Sequence, residues 1–303
     1  MKILVLGSTG MLGSMVTHYL KNKTEHDVYG SCSSQLFHTE SSDCHVKIAL
    51  NCFRDIEKAL RVIEDGNYDY IINCIGVIKQ RSCDLTANEY EKKSVLVNAL
   101  FPNALTEIQT TRVLQIATDC VYSGKAGWYS ESDEADYFDT YARTKSLGEV
   151  RSENLLNIRC SIIGPEISRH LSLMDWFLLN PNQVVNGYID HLWNGVTTLQ
   201  FAQLCAEIIE KGSFEKLRDL NHTIHYVKNL PVSKYELLMI CKDVFNREVI
   251  VNPVFSGYPI NRTLTSIYMN NTLLDMRIAV EDLSSYMKEY STYYPKHEVL
   301  LNG

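Results

Sequence analysis

The sequence has no excess of basic residues and no long apolar run. Its 303 residues carry 29 Lys and Arg against 36 Asp and Glu, a formal net charge of −7. A clustered basic surface of the kind that binds a phosphate backbone is therefore not expected, which excludes nucleic acid as a partner. No apolar stretch approaches the roughly eighteen residues of a membrane span, so we expect no membrane association.

Paired cysteines and low-complexity segments are also missing. The nine cysteines are scattered, with no Cys-x-x-Cys pair and no metal-ligand spacing, so we expect no metal. The N-terminus passes from one lysine straight into a short apolar run and a glycine-rich turn, unlike a signal peptide. The 45% apolar and 21% charged residues are close to globular averages. We therefore predict a folded protein of the reducing cytoplasm.

What the sequence does contain is an alternation of strand and helix patterns. Helical patterns follow Gly13 and cover residues 53–63 and 87–108. Strands are predicted over residues 2–6, 26–30, 46–50, 68–74 and 113–117, and within 155–163. This alternation is typical of right-handed βαβ units, so the expected fold is α/β, a Rossmann-like doubly wound parallel sheet.

The regular alternation of strand and helix patterns ends after Gly164-Pro165. Aromatic residues and prolines divide the rest of the chain into shorter segments. Helices are predicted there over residues 199–210 and 233–245. We predict a dinucleotide-binding domain over residues 1–165 and a smaller, mixed C-terminal substrate domain formed mainly by residues 166–303. The helix at 197–211 is expected to pack back on the first domain, and no flexible linker separates the two.

Three glycines follow the first predicted strand, in the pattern Gly7-x-x-Gly10-x-x-Gly13. Glycines permit a tight turn and let a pyrophosphate approach the backbone, and the next helix offers free N–H groups. The alternative is a turn that only packs helix on strand. We predict cofactor contacts from this loop and from the ends of the second and fourth strands: Gly7, Thr9, Gly10, Met11, Leu12, Gly13, Ser31, Cys74, Ile75 and Gly76.

The end of the second predicted strand bears on the choice of dinucleotide. An acidic residue there would bind the adenosine ribose diol and indicate NAD. The chain instead reads Tyr29-Gly-Ser-Cys-Ser-Ser34, with neither an acid nor an arginine. Small hydroxyls accept a 2′-phosphate without repelling it, so this segment favours NADPH, with NADH left open.

Tyr141 and Lys145 place a phenol and an ammonium on one helix face. The lysine is expected to pull the pKa of the phenol down, so that Tyr141 donates a proton to a carbonyl oxygen as hydride arrives. Thr118, at the end of the fifth strand, would hydrogen-bond the same oxygen. Tyr19 and Lys23 share the spacing but lie on the first helix, without a hydroxyl partner. The alternative for Tyr141 and Lys145 is a surface pair.

Together these motifs resemble the extended short-chain dehydrogenase/reductases. The shared features are Gly7-x-x-Gly10-x-x-Gly13, Thr118 with Tyr141-x-x-x-Lys145, and Arg159-Cys-Ser-Ile-Ile-Gly-Pro165. Three further segments resemble dTDP-4-dehydrorhamnose reductase and its relatives: Ile72-Asn-Cys-Ile-Gly76, Ala117-Thr-Asp-Cys-Val-Tyr-Ser-Gly124 and Pro259-Ile-Asn-Arg-Thr-Leu264. The resemblance implies NADPH-dependent 4-reduction of a nucleotide-linked 4-keto-6-deoxyhexose. It assigns Thr118 and Tyr141 to the carbonyl and Lys145 to the nicotinamide ribose.

The sequence departs from that pattern at Cys120 and Ile162, where the dTDP-sugar reductases commonly have an aromatic residue and a tryptophan. A cysteine at this position resembles GDP-fucose synthase and the bifunctional rhamnose epimerase-reductases, where it exchanges the proton next to the ketone with a basic residue of the later domain. His170 is the candidate for that basic residue. The alternatives are a small buried hydrophobe for Cys120 and a surface histidine for His170.

The segment Trp176-Phe-Leu178 resembles family members that act on UDP-2-acetamido-2,6-dideoxy-hexos-4-uloses. The resemblance therefore implies a product such as UDP-N-acetyl-L-rhamnosamine. Lys79 and Arg262 are candidates for the sugar or diphosphate, and Trp193 and Cys120 for the sugar or base pocket. Trp193 could equally be an inter-domain core residue, and Arg262 a surface ion-pair partner.

Three functions stay open. The first is a 4-keto-sugar reductase, with or without 3-epimerase activity, acting on a UDP-sugar or as dTDP-4-dehydrorhamnose reductase proper. The second is an epimerase or dehydratase that keeps its NAD. Dehydration is disfavoured because Asp119-Cys120 replaces the usual acidic pair. The third is a non-catalytic NADP-binding regulatory subunit. The expected partner is a nucleotide-diphosphate sugar, and a homodimer is left open.

Overall fold

The computed structural model describes residues 1–33, 45–79, 85–137, 139–297 and 301. Its centre is a parallel sheet of seven strands in the order β11-β6-β5-β4-β1-β2-β3. The strands are β1 (Lys2–Leu6), β2 (Asp27–Cys32), β3 (His45–Lys47), β4 (Tyr70–Asn73), β5 (Arg112–Thr118), β6 (Leu155–Cys160) and β11 (Thr223–His225). The α/β parallel-sheet prediction is confirmed.

Helices cover both faces of this sheet, with α1 on one side and α2 on the other. The α-helices of the described residues are α1 (Met11–Lys23), α2 (Phe53–Gly66), α3 (Ala87–Ser94), α4 (Phe101–Leu105), α5 (Thr140–Leu147), α6 (Leu173–Leu179), α7 (Thr198–Glu210), α8 (Phe214–Leu220), α9 (Lys234–Val244) and α10 (Met276–Glu289). Alternate residues of β1 enter opposite cores: Ile3 and Val5 pack on one side, and Leu4 and Leu6 on the other. A strand buried on both faces therefore reads as a continuous apolar run.

The second half of the chain adds three small sheets. Strands β7 (Ile162–Ile163) and β10 (Val196–Thr197) form one, and β8 (Val184–Tyr188) and β13 (Ile250–Val254) form another. The third joins β9 (His191–Trp193), β12 (Val232–Ser233) and β14 (Ile260–Asn261). Helix α7 packs against α1. Along the described residues, no helix is long and apolar enough to cross a membrane.

Two differences from the sequence prediction concern the central sheet and the helices that follow β4. The predicted helix over residues 87–108 is a composite of α3, a π-helical segment (Val95–Leu100) and α4. In the π-helical segment the Asn98 side chain accepts a hydrogen bond from the Val77 amide at 2.8 Å and donates to its carbonyl at 3.0 Å. The edge strand β11 was not predicted, because its pairing with β6 depends on tertiary structure.

Candidate active site

The glycine loop connects β1 to α1, and two of its glycines resist replacement: Gly13 because of close packing and Gly7 because of its positive φ. A Cβ atom on Gly13 would lie 2.2 Å from the Gly7 carbonyl oxygen, and Gly7 itself has φ +78°. A Cβ on Gly10 would meet only that carbonyl oxygen, at 3.5 Å. Gly13 is therefore required by packing, whereas Gly10 borders open space.

This loop fits a dinucleotide pyrophosphate. Gly10 is the N-cap of α1 and makes no side-chain hydrogen bond to the first turn, which also contains no acidic residue. The first-turn N–H groups and the positive end of the helix dipole are thus available for an anion. Thr9 and Met11 are half-buried at the surface of the loop, whereas the Leu12 side chain is buried in the core.

Ser31 supports the loop from the end of β2. Its hydroxyl accepts a hydrogen bond from the Gly7 amide at 2.9 Å, and its carbonyl accepts from the amide and hydroxyl of Ser8 at 3.0 and 2.9 Å. The Ser31 side chain is buried. Ser34, which belongs to the segment that favours NADPH, lies outside the described residues.

The carboxyl end of β4 lies beside the same loop. The Cys74 amide donates to the Leu6 carbonyl at 3.0 Å, and the Ile75 amide donates to Asn73 Oδ1 at 3.2 Å. Cys74, Ile75 and Gly76 are all half-buried there. The predicted cofactor residues of the loop and of β4 thus lie along one edge of the sheet, as expected for parallel strands.

Thr118 ends β5, and its hydroxyl accepts a hydrogen bond from the Cys120 amide at 3.2 Å. Helix α5 begins after its N-cap residue Asp139, whose carboxylate accepts a hydrogen bond from the Ala142 amide at 2.7 Å. This cap orients Tyr141 on the first turn of the helix. Lys145 lies one turn further on, and its ammonium donates to the Ile116 carbonyl of β5 at 2.7 Å.

The electrostatics of Tyr141 and Lys145 differ from the expectation. Burial raises the pKa of Tyr141, with smaller contributions from Cys120 and Asp119, and the neighbouring Thr118 hydroxyl opposes the rise. The predicted lowering of the Tyr141 pKa by Lys145 is therefore wrong, because desolvation of the phenol dominates. Burial also lowers the pKa of Lys145 to about 8. Tyr141 is thus a protonated acid at neutral pH.

Cys120 lies beside Arg262, whose Nη1 is 3.9 Å from the Cys120 sulfur. The Arg262 Nε also donates to the Tyr122 carbonyl at 2.9 Å, which fixes the guanidinium over this loop. Burial raises the pKa of the Cys120 thiol to about 11, Asp119 adds to the rise and Arg262 opposes it. The guanidinium favours a thiolate at this position more than the Thr118 hydroxyl and Lys79, which act in the same direction.

Lys234, at the first position of α9, is the second basic group near Cys120. Burial lowers the pKa of Lys234 to about 8, while Asp119 and Cys120 raise it and Arg262 lowers it further. Its ammonium lies 4.5 Å from the centre of the Trp193 ring. Trp193 is 3% exposed, and its indole Nε1 has no hydrogen-bond partner among the described residues. Lys234 was not among the site residues predicted from the sequence.

Lys79 and Arg262 approach the same aromatic ring from different elements. The Lys79 ammonium and the Arg262 guanidinium lie 5.1 and 5.2 Å from the centre of the Tyr137 ring. Lys79 also forms an ion pair with Asp139 and lies 5.8 Å from the Tyr141 ring centre. Two cations therefore flank one side of the site, as recognition of an anionic substrate requires.

His170 belongs to a different cluster. Its Nδ1 lies 2.7 Å from Asp175 Oδ2, and His297 Nε2 lies 2.9 Å from Asp175 Oδ1. Asp175 is fully buried and also accepts from the Glu166 amide at 3.0 Å. The three side chains bring potential metal ligands within 4.8 Å of one another, but the two His–Asp distances are those of hydrogen bonds. The described contacts of Cys120 involve Arg262 and Thr118, not His170.

The sheet, the glycine loop and the Thr118, Tyr141 and Lys145 set together define a dinucleotide-binding short-chain dehydrogenase/reductase fold. Comparison with known proteins then gives the family: the NAD dependent epimerase/dehydratase family model matches residues 3–227, so the chain belongs to that family. This membership confirms the resemblance to the extended short-chain dehydrogenase/reductases.

Individual relatives are more distant. A probable low-salt glycan biosynthesis reductase, Agl14 of Haloferax volcanii, is 28% identical over 156 residues, 50% of this chain and 49% of that relative. The methionine adenosyltransferase 2 subunit beta of Mus musculus is 22% identical over 81% of this chain and 72% of its own length. The segment matched to Agl14 thus spans about half of the length of that relative.

Solved structures support the fold. A dTDP-4-dehydrorhamnose reductase from Bacillus anthracis, in complex with NADP, has a TM-score of 0.71 and 15% identity. The alignment covers 94% of this chain and 99% of that one. At this identity the likeness shows the shared fold.

Proposed function

We propose that this protein uses a nicotinamide dinucleotide to reduce the C4 ketone of a nucleotide-linked 4-keto-6-deoxyhexose. The observation that carries the proposal is that Thr118 ends β5 with its hydroxyl at the Tyr141 phenol. The Lys145 ammonium donates to a carbonyl of the same strand. A protonated phenol beside a hydroxyl suits the donation of a proton to a carbonyl oxygen. The carboxyl edge of a doubly wound sheet is also where such folds bind ligands.

Each residue has a distinct task in this reaction. When bound, the nicotinamide supplies hydride to the carbonyl carbon. The Tyr141 hydroxyl gives its proton to the carbonyl oxygen, so that the ketone becomes an alcohol, and Thr118 holds that oxygen by a hydrogen bond. Lys145 orients the nicotinamide ribose. The glycine loop receives the pyrophosphate, and the lack of an acid in the described part of the β2 end favours NADPH over NADH.

We further propose that the site exchanges the proton at C3 before reduction. Cys120 would lose its proton to solvent to become the thiolate that Arg262 favours, and this thiolate would take the acidic proton next to the ketone. A second group would return a proton to the opposite face. Lys234 suits that task better than His170, because Asp119, Cys120 and Arg262 are its electrostatic neighbours. The ring of His170 is instead hydrogen-bonded to Asp175.

The preferred substrate is a UDP-2-acetamido-2,6-dideoxy-hexos-4-ulose, which gives a 6-deoxy-L-sugar nucleotide such as UDP-N-acetyl-L-rhamnosamine. The glycan-reductase name of the archaeal relative supports a role in glycan assembly. Lys79 and Arg262 would bind the diphosphate, and Trp193 would contribute to the wall of the pocket. The alternative substrate is dTDP-4-dehydrorhamnose, because a structure of similar fold carries that reductase name.

A second candidate function is that of a dinucleotide-binding regulatory subunit. The relative from Mus musculus, which aligns with 81% of this chain, is named as a subunit of methionine adenosyltransferase. The same fold serves catalytic and non-catalytic roles. The intact Thr118, Tyr141 and Lys145 set favours catalysis.

The test is an NADPH oxidation assay with UDP- and dTDP-linked 4-keto-6-deoxy sugars generated in place by a dehydratase. The reactions run in D2O, with NADH in parallel, and NMR identifies the products. Turnover with deuterium at C3 supports an epimerase-reductase and identifies its nucleotide. Turnover without deuterium at C3 leaves a plain reductase, and no turnover on any of these sugars favours the regulatory subunit.

A variant series separates the two candidates for the second proton-exchange group. Lys234→Met is expected to abolish deuterium uptake at C3, whereas His170→Gln is expected to retain it. Lys242→Met, on the same helix α9, is the matched control and should behave as wild type. Loss of uptake in the His170 variant alone would return the role to His170.

A further inference from the structure

A buried ion pair lies next to the loop of residues 118–122, which carries Thr118 and Cys120. Arg159, on β6, binds Glu149 in a bidentate manner: Nε donates to Oε1 at 3.0 Å, and Nη2 forms an ion pair with Oε2. The two side chains are only 10% and 9% exposed. Burying two charges carries a large desolvation penalty, so removing one partner would leave a costly unpaired charge.

The other arm of Arg159 connects this pair to the loop that carries Thr118 and Cys120. Its Nη1 donates to the Tyr122 hydroxyl at 2.6 Å and lies 3.0 Å from His225 Nε2. The Tyr122 ring stacks on Tyr129 with centres 4.2 Å apart, and its hydroxyl donates to the Ser130 carbonyl at 3.0 Å. Tyr122 is therefore held from several sides, two residues beyond Cys120.

Tyr122 also connects this network to the substrate side of the loop. Its carbonyl accepts from Arg262 Nε at 2.9 Å, and Arg262 in turn approaches the Cys120 sulfur. A displacement of Tyr122 would therefore move Arg262 and the loop between Thr118 and Cys120 together. Displacements of about 1 Å are enough to lower turnover considerably.

We propose that Glu149 and Arg159 are positioning residues: Glu149 fixes the Arg159 guanidinium, and Arg159 holds the loop of Thr118 and Cys120 in place through Tyr122. The inference deepens the proposed function and rests on it for the role of this loop. The position of the loop itself is a property of the protein without substrate, so it calls for a separate measurement.

The first measurement is the rate at which iodoacetamide alkylates Cys120 in the protein without substrate, read by mass spectrometry. Tyr122→Phe keeps every charge but removes the hydroxyl contacts to Arg159 and Ser130. Because Cys120 lies two residues before Tyr122, the variant is expected to raise this rate several-fold. Tyr258→Phe, at a tyrosine that is 82% exposed, is the matched control and should leave the rate unchanged. An unchanged rate in folded Tyr122→Phe would overturn the proposal.

The second measurement is turnover. We expect Tyr122→Phe to lower kcat about tenfold or more, with NADPH affinity unchanged. Wild-type turnover would overturn the positioning role. Because alkylation requires no sugar, failure of the proposed substrate would leave the Cys120 result intact.

The ion pair is tested by the same alkylation assay. Glu149→Gln alone would leave Arg159 unpaired, so the double variant Glu149→Gln with Arg159→Met removes both charges, since neutral replacement of a buried pair is tolerated. It is expected to raise the Cys120 alkylation rate as Tyr122→Phe does. A wild-type rate in the folded double variant would contradict the role of the pair.

Discussion

At the residue scale, Tyr141 is the side chain on which the proposed reduction depends most. Tyr141→Phe removes the proton donor and keeps the ring, so reduction is expected to fall by about 10²–10⁴-fold. NADPH affinity, measured by fluorescence titration, should stay near the wild-type value because the glycine loop is untouched. Tyr19→Phe is the matched control, since Tyr19 precedes Lys23 with the same spacing on α1. Full turnover by Tyr141→Phe would exclude the assignment.

Cys120 supports a prediction that separates proton exchange from reduction. Cys120→Ser is expected to abolish deuterium uptake at sugar C3, because a serine hydroxyl is a far weaker acid than a thiol and does not form the anion that the exchange needs. Reduction of a ketone that is already epimerised should continue. Cys52→Ser, at an exposed cysteine, serves as the control. Deuterium uptake that persists in Cys120→Ser would mean that Cys120 is a packing residue.

The candidate site was only partly accessible from the sequence. Thr118, Tyr141 and Lys145 could be predicted from their spacing and from the position of Thr118 at a strand end. That pattern is typical of proton donation to a carbonyl oxygen. Lys234 could not be predicted, because its approach to Trp193 depends on how α9 begins beside β9. The Ser233–Glu236 capping box marks where that helix begins but not what its first residue faces.

At the element scale, the turn between β1 and α1 gives a test of the cofactor loop. Gly13→Ala places a Cβ atom 2.2 Å from the Gly7 carbonyl oxygen, so the loop must shift. We expect a loss of about 1–3 kcal/mol of stability and weaker NADPH binding, measured by thermal denaturation and fluorescence titration.

Gly10→Ala is the comparison for that variant. Its Cβ would meet the same oxygen at 3.5 Å, an ordinary contact, so the fold should keep its wild-type Tm. NADPH affinity should fall nonetheless, because the methyl group occupies space that the pyrophosphate needs. If Gly10→Ala binds NADPH as tightly as wild type, the loop does not receive the pyrophosphate as proposed.

The elements of the central sheet could be predicted to within a few residues, because a strand buried on both faces is an apolar run. The predicted strand over residues 113–117 is the centre of β5 (Arg112–Thr118). Helices α6, α8 and α10 were not predicted. Helix α10 begins at an Asp275 cap that accepts from the Arg277 amide, a signal that was present in the sequence. Strand β11 is stabilised by pairing with β6, which is a tertiary effect.

At the scale of the whole molecule, one apolar core connects the two halves of the chain. It includes Ile3 of β1, Trp193 of β9 and Leu283 of α10. Leu283→Ala is therefore expected to cost about 2–5 kcal/mol, as a buried leucine does. Leu220→Ala, at a side chain 46% exposed, should cost less than about 0.5 kcal/mol.

The shared core also predicts cooperative unfolding. Far-UV circular dichroism and tryptophan fluorescence should report the same midpoint in urea for wild type and for Leu283→Ala. Two separated transitions would mean that residues 1–165 and 166–303 unfold independently. The proposed division into a dinucleotide domain and a substrate domain would then hold in energetic as well as functional terms.

The proposed reduction is tested most directly by following deuterium from NADPH labelled at C4 of the nicotinamide, in separate 4R and 4S preparations. One of the two is expected to transfer its deuterium to C4 of the nucleotide-linked sugar, as detected by NMR of the product. Tyr141→Phe should suppress this transfer. Oxidation of both labelled cofactors without deuterium at sugar C4, or no oxidation with any 4-keto sugar, would contradict the proposed reduction.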